Sequence, residues 1–324
     1  MNKLYPITQP VKKEMEVFNR LFSETLRGHN SDFQSMIDFI SGKNGKRIRP
    51  LILLLSAKLC GEPNEKSIDY AVILELLHTA TLIHDDVVDN TMERRGQLSV
   101  NAKYDNRVAV LLGDYVLSMA ITNAILSQNF IVLEIISRLA KSLTEGELAQ
   151  LIASQKLLLS EKRYFDVIWK KTAFLLSCCS EMGAISVNAN PENREKLRLI
   201  GENLGMCFQI KDDIFDYFEQ GNIGKPTGND IREGKISLPL IYALNTAPKS
   251  DSNQILTLIK NRNYSPETIQ QLIDFAKMNK GIEYAYSKME EIKEKTIALL
   301  NGFPDSEAKM SLIQLCDYII ERER

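Results

Sequence analysis

Apolar residues recur at three- and four-residue intervals along nearly the whole chain, from Val11, Met15, Phe18, Phe22 and Leu26 through Phe33, Met36, Ile37 and Ile40. That spacing lines one face of a helix. Three segments, Pro50 to Leu59, Ala71 to Ile83 and Val108 to Ile125, are apolar almost all round. They predict helices buried on most sides, at the centre of the molecule. Alternating strand-like runs are missing, and nothing resembles a repeated strand and helix unit. The expected fold class is all-α.

Breaks rich in Gly, Pro, Asn or charge fall at 42–45, 61–64, 188–192, 221–234 and 246–252. None is long enough to be a domain linker, so residues 1–324 are expected to form a single domain. Ser265-Pro266-Glu267 reads as a capped helix start with proline in the first turn, and Asp305-Ser306 precedes an apolar run ending in Ile320. The C-terminal third therefore looks like scaffold.

Composition narrows the classes. A chain with 44% hydrophobic and 25% charged residues is globular rather than disordered, and a net charge of -2 gives no electrostatic reason to expect nucleic acid. The cysteines Cys60, Cys178, Cys179, Cys207 and Cys316 are odd in number and mostly set in apolar helical stretches, which fits a reduced compartment. The first residues lack the apolar core of a signal peptide, and no run of about eighteen apolar residues is evident. A cytoplasmic protein without a transmembrane segment is expected, with transient membrane contact open to a greasy substrate or product.

Two acidic strings carry the candidate chemistry, Asp85-Asp86-Val87-Val88-Asp89 and Asp212-Asp213-Ile214-Phe215-Asp216. Residues four apart share a helix face, so Asp85 and Asp89 project together with Asp86 beside them. Three anions at the end of an apolar helix require a compensating cation, and carboxylate oxygens suit Mg²⁺ shared with substrate phosphates. One such string is as readily a solvated helix end. A second, again after an apolar helix and again near basic residues, argues against coincidence.

Lys46, Arg47 and Arg49 precede an apolar helix, and Arg94 and Arg95 follow the first acidic string. A helix N-terminus with cations at its start favours an anion such as diphosphate, although Arg47 also reads as part of a solvated basic turn. The segment Gly224-Lys225-Pro226-Thr227-Gly228 with Glu233-Gly234-Lys235 offers two more lysines on a loop that could close over phosphates. It lacks the glycine spacing and preceding strand of a nucleotide P-loop. His78 lies seven residues before Asp85, two turns back on much the same face, where it could donate to a diphosphate or simply be a satisfied core residue. His84 reads as structural.

Gly45-Lys46-Arg47-Ile48-Arg49-Pro50, Leu77-His78, the first acidic string, Arg94-Arg95-Gly96 and Phe208-Gln209-Ile210-Lys211-Asp212-Asp213 together resemble the trans-polyprenyl diphosphate synthases. Gly113-Asp114, Lys171-Thr172, the loop from Gly224 to Lys235 and Leu238-Pro239-Leu240 extend the likeness over about residues 40 to 245. The resemblance implies a type I isoprenoid synthase bundle around a central cavity. By position it implies that Lys46, Arg49, His78 and Arg95 hold the diphosphate of isopentenyl diphosphate. Arg94, Lys171, Thr172, Gln209, Lys225 and Lys235 would contact the allylic diphosphate. Asp85, Asp86, Asp89 and Asp212 would bind magnesium, with Asp213 and Asp216 in the same metal set as supports. Three Mg²⁺ ions with bound diphosphate, Mn²⁺ as a substitute and a homodimer are further expectations by resemblance.

The implied reaction is ionisation of the allylic diphosphate, attack by the isopentenyl double bond and loss of a proton. It needs no side-chain nucleophile. Ala80 and Thr81, about one turn before Asp85, are small where short-chain members commonly carry an aromatic floor. A deeper tunnel walled by Leu77, Leu74, Leu54 and Met119, and a medium or long all-trans product of the quinone side-chain kind, is expected. Simple packing of Ala80 and Thr81 against a neighbouring helix, and a shorter farnesyl or geranylgeranyl product, are the alternatives. A terpene cyclase would not need the separate Lys46, Arg49 and His78 site, the acidic motifs of head-to-head synthases differ, and a non-catalytic partner subunit would usually have lost one acidic string.

Overall fold

The computed structural model describes residues 4–27, 31–41, 45–94, 96–218 and 227–322. Helices dominate them, as expected, and two compact units are formed from interleaved stretches of chain. One unit comprises residues 1–140, 178–198 and 303–312; the other comprises 141–177, 199–302 and 313–324.

The first unit is built on the helices Ile48–Cys60 and Glu65–Val88, which pack on each other. Leu51 to Leu55 and Tyr70 to Leu74 are at most 2% exposed, so both runs are core, as their composition predicts. Glu65–Val88 starts with a reciprocal cap in which Asn64 accepts from the Ser67 backbone and Ser67 accepts from that of Asn64. The Ser67 hydroxyl also bonds that of Ser186 at 2.7 Å, and Asn64 donates to the Ser186 carbonyl at 3.1 Å. These bonds fix where the helix begins, and its length then fixes where its acidic last turn ends.

The third apolar segment behaves differently. The helix Asn106–Leu126 lies along Glu65–Val88 and buries Ala109, Leu112, Val116, Ala120 and Ala124. Its other side leaves Val110, Leu111, Ile121, Ile125 and Leu126 exposed, so the expectation that it is covered on most sides is corrected. Among the described residues this is the helix long and apolar enough, by length and composition, to cross a membrane, a test that a core helix also passes; Asp114, Ser118, Thr122 and Asn123 interrupt its apolar residues, as the sequence reading has it. Composition reports how apolar a helix is, but not how many faces its neighbours cover.

A short antiparallel pair, Glu93–Arg94 with Gln97–Leu98, is the one strand pairing among the described residues. Gly96 turns it with φ +74°, a conformation that favours glycine. Too few residues take part for alternation to appear in the sequence.

In the second unit, Leu238–Thr246 packs against Pro266–Met278 and Gly281–Leu300. The rings of Tyr242 and Tyr284 stack at 3.9 Å. Ser265 caps Pro266–Met278 by accepting from the Thr268 backbone, as its sequence signature predicts. The break expected at 246–252 is shorter than read, because Lys249–Asn261 already includes Ser252. Residues Trp169–Ala173 form a π-helical turn, and Gly205 sits so close to Ala173 that a side chain there would collide with its backbone.

Candidate active site

The first acidic string occupies the last turn of Glu65–Val88 and its C-cap, Asp89. Asp85 and Asp89 are half-buried and Asp86 is 2% exposed. Arg94 of the hairpin donates Nε to Asp86 Oδ1 at 2.6 Å. The hairpin is tied down beside it: the Thr91 amide donates to the Asp86 carbonyl at 2.8 Å, and the Ser99 hydroxyl to the Thr91 carbonyl at 2.6 Å. Asn101 donates to the carbonyls of both Asp86 and Thr91. Sequence places Arg94 eight residues from Asp86, and the hairpin converts that separation into a contact.

Lys46 is exposed just ahead of Ile48–Cys60, and Arg49 is half-buried in its first turn. The helix starts one residue before Arg49, after Arg47 in the left-handed conformation at φ 51°. Arg47, for which the sequence leaves open both an anion-binding helix start and a solvated basic turn, is built in: Nη1 donates to Glu75 Oε1 at 2.6 Å, and the guanidinium lies 4.5 Å from the Phe22 ring centroid. His78 is 7% exposed. It lines a cavity of about 50 Å³ with Arg47, Glu75, Asp86 and Arg94. Arg95 lies outside the described residues.

Leu77 and Ala80 are at most 1% exposed, whereas Thr81 and Met119 are half-buried. The Thr81 hydroxyl donates to the His78 carbonyl at 2.8 Å.

In the second unit, Thr172 donates to Gln209 Oε1 at 2.8 Å, and Gln209 donates to Asp213 Oδ1 at 2.8 Å. Tyr164 donates to Asp213 Oδ2 at 2.6 Å. Lys171 pairs with Glu147 at 2.5 Å, and Lys235 pairs with Glu233 at 2.7 Å. Lys171, Gln209, Asp213 and Lys235 line one cavity of about 160 Å³, together with Tyr164 and Asp230. Lys225 lies outside the described residues.

The three aspartates of the second string differ in their duties. Asp216 accepts the amides of Asn229 at 2.7 Å and Asp230 at 3.0 Å, one on each oxygen, and so anchors the turn Asn229–Arg232. Both oxygens of Asp213 meet protein donors, and its residue is 6% exposed. Asp212 has a side chain 41% exposed and pairs with Arg322. Burial holds Asp213, Asp216 and Asp230 above the usual carboxylate range, and neighbouring carboxylates push Asp213 and Asp230 further up.

Asp230, Tyr164 and Arg322 were not picked out from sequence. Asp230 had a signal, an acid inside a basic, glycine-bearing loop; the other two had none. Among the described residues no three His, Cys, Asp or Glu side chains converge as a ready-made metal cage. The donor set is nonetheless all oxygen, and partly exposed carboxylates fit a hard cation that keeps its waters and shares substrate phosphates.

Comparison with known proteins shows the family. Residues 30–276 match the polyprenyl synthetase family. The chain is 32% identical to an octaprenyl diphosphate synthase of Escherichia coli (strain K12), over 99% of each. A solved geranylgeranyl pyrophosphate synthase from Bacteroides thetaiotaomicron is 41% identical, with a TM-score of 0.86 over 99% of this chain and 100% of that one. A polyprenyl synthase from Caulobacter crescentus CB15, complexed with calcium and isoprenyl diphosphate, is 30% identical with a TM-score of 0.91 over 98% of both chains.

Proposed function

Because the chain belongs to the polyprenyl synthetase family and is a prenyltransferase, we propose that it adds isopentenyl diphosphate repeatedly to an allylic diphosphate, giving a medium- or long-chain all-trans polyprenyl diphosphate. The observation that carries this reading is the acidic end of Glu65–Val88, held in place by Arg94 beside a cavity lined by Arg47 and His78. Residues 1–324 are taken as one functional domain, since each compact unit draws on several separate stretches of chain.

Lys46, Arg49, His78 and Arg95 bind the isopentenyl diphosphate. Arg94, Lys171, Thr172, Gln209, Lys225 and Lys235 orient the allylic diphosphate. Asp85, Asp86, Asp89 and Asp212 are the carboxylates for magnesium, while Asp213 and Asp216 support them through the bonds described above. Magnesium, when bound, offsets the charge that grows on the departing diphosphate. The allylic carbon–oxygen bond breaks with its electron pair leaving on diphosphate, the isopentenyl double bond attacks the carbocation, and proton loss sets the new double bond. Arg94 and the lysines supply fixed positive charge where that negative charge develops. A cytoplasmic placement belongs to the same reading, supported by five unpaired cysteines.

The small residues Ala80 and Thr81 one turn before Asp85, with Leu77, Leu74 and Leu54 buried in the same unit, support a long apolar product chain. The 41% identical geranylgeranyl pyrophosphate synthase favours a second reading, a shorter product. Incubating the purified protein with Mg²⁺, isopentenyl diphosphate and a panel of allylic diphosphates, then measuring product length, separates the two. Products of thirty or more carbons are expected, shortened by Thr81→Phe; a ladder stopping at twenty carbons supports the second reading, and no prenyl product with any primer rejects both.

A further inference from the structure

Arg322 follows the helix Glu307–Glu321 and is 6% exposed, although arginine is rarely buried without a partner. Its guanidinium carbon lies 3.9 Å from the centroid of the Phe208 ring and 5.4 Å from that of Phe215. Nη2 donates to the Phe208 carbonyl at 2.9 Å and to Asp212 Oδ1 at 2.6 Å. Nε is buried with no acceptor. Two ring faces and a backbone carbonyl thus anchor the cation independently of Asp212. The carboxylate is gripped through a single nitrogen, itself shared with that carbonyl, where a side-on pair would use two.

The Asp212 side chain is 41% exposed, and Asp213 and Asp216 each carry hydrogen bonds on both oxygens that hold neighbouring segments. Resting on the proposed metal role of Asp212, we propose that Arg322 is a positioning residue that keeps the second acidic string from taking a divalent cation until a diphosphate arrives with it. A fixed guanidinium on the carboxylate opposes a second cation at the same oxygen. Diphosphate contributes both negative charge and further oxygen ligands, and the one-nitrogen grip is weak enough to be outcompeted. The order of binding at this string would then be set by a residue 110 positions away in sequence.

The test uses the full chain carrying Asp85→Ala and Asp89→Ala, so that cation binding at the second string dominates. Mn²⁺ is titrated with and without inorganic diphosphate, and bound ion is read by electron paramagnetic resonance. Arg322→Gln is expected to tighten Mn²⁺ binding without diphosphate by about fivefold or more, the range of ordinary coupling between sites, and to shrink the enhancement that diphosphate brings. Unchanged or weaker binding in Arg322→Gln overturns the inference alone, provided Asp212→Asn still abolishes the signal. A signal that survives Asp212→Asn overturns the metal role and the inference together. If Arg322→Gln does not fold, Phe208→Leu removes the ring under the guanidinium, and binding without diphosphate should shift in the same direction; no shift overturns the inference.

Discussion

Tyr164 donates its phenolic proton to Asp213 at 2.6 Å, joining residues 49 apart in sequence at a carboxylate only 6% exposed. The same carboxylate accepts from Gln209, which accepts from Thr172. Three proposed site residues are thereby held by one buried chain of hydrogen bonds. Tyr164→Phe removes a donor and leaves the carboxylate short of a partner, at a cost of about 1–3 kcal/mol. Urea denaturation should show it. A midpoint equal to wild type would mean that solvent replaces the tyrosine without loss.

Asp86 is buried and paired with Arg94, whereas Asp85 is half-buried on the same turn. Asp85→Ala tests the chemistry at the more accessible carboxylate, and Asp86→Asn tests it while keeping the shape of the side chain. Each is expected to lower the single-turnover rate by about 10²-fold or more, the usual effect of losing one preorganised group that stabilises transition-state charge. Turnover unchanged at saturating Mg²⁺ would reject the metal assignment.

Gly205 meets the backbone of Ala173, which closes the π-helical turn Trp169–Ala173 carrying Lys171 and Thr172. Such turns often mark functional positions, because they offset side chains from regular helix geometry. Gly205→Ala forces the two segments apart, with an overpacking cost of about 1–3 kcal/mol. The allylic diphosphate KM should rise while that for isopentenyl diphosphate changes little; equal changes in both would show a global effect.

Burial pushes the thiols up, to about 11 for Cys60 and about 12 for Cys179 and Cys316, with Cys178 and Cys207 also raised. The folded state keeps its protons longer than the unfolded chain, so the associated stability is complete below about pH 8.5 and falls as pH rises towards those values. Thermal midpoints should decline from pH 9 to 11. At pH 8 the native protein should resist iodoacetamide, and all five cysteines should react once it is denatured. Rapid labelling of Cys179 in the native state would contradict its burial.

Leu111, Ile125, Leu126 and Phe130 are exposed along one unit, Leu111 at 68% and Phe130 at 87%. Exposed apolar side chains of this size would serve an association surface, which is the expectation if the homodimer implied by resemblance forms. Leu111→Glu with Phe130→Glu should halve the mass measured by light scattering. A wild-type chain that is already monomeric at micromolar concentration would remove the proposal.

What the sequence determined by itself was local and periodic. Uniformly apolar composition marked Leu51 to Leu55 and Ala71 to Ile83 as core, and helical spacing put Asp85, Asp86 and Asp89 together at one helix end, because residues three and four apart share a face whatever surrounds them. The Ser265 cap was legible for the same reason. Tertiary structure alone decided which apolar face of Asn106–Leu126 stays exposed, since that depends on where neighbouring helices stop. It also decided that Arg322 meets Asp212 and that Tyr164 meets Asp213. A buried charge or carboxylate needs a partner, yet nothing in chain order says which distant segment the packing will bring to it.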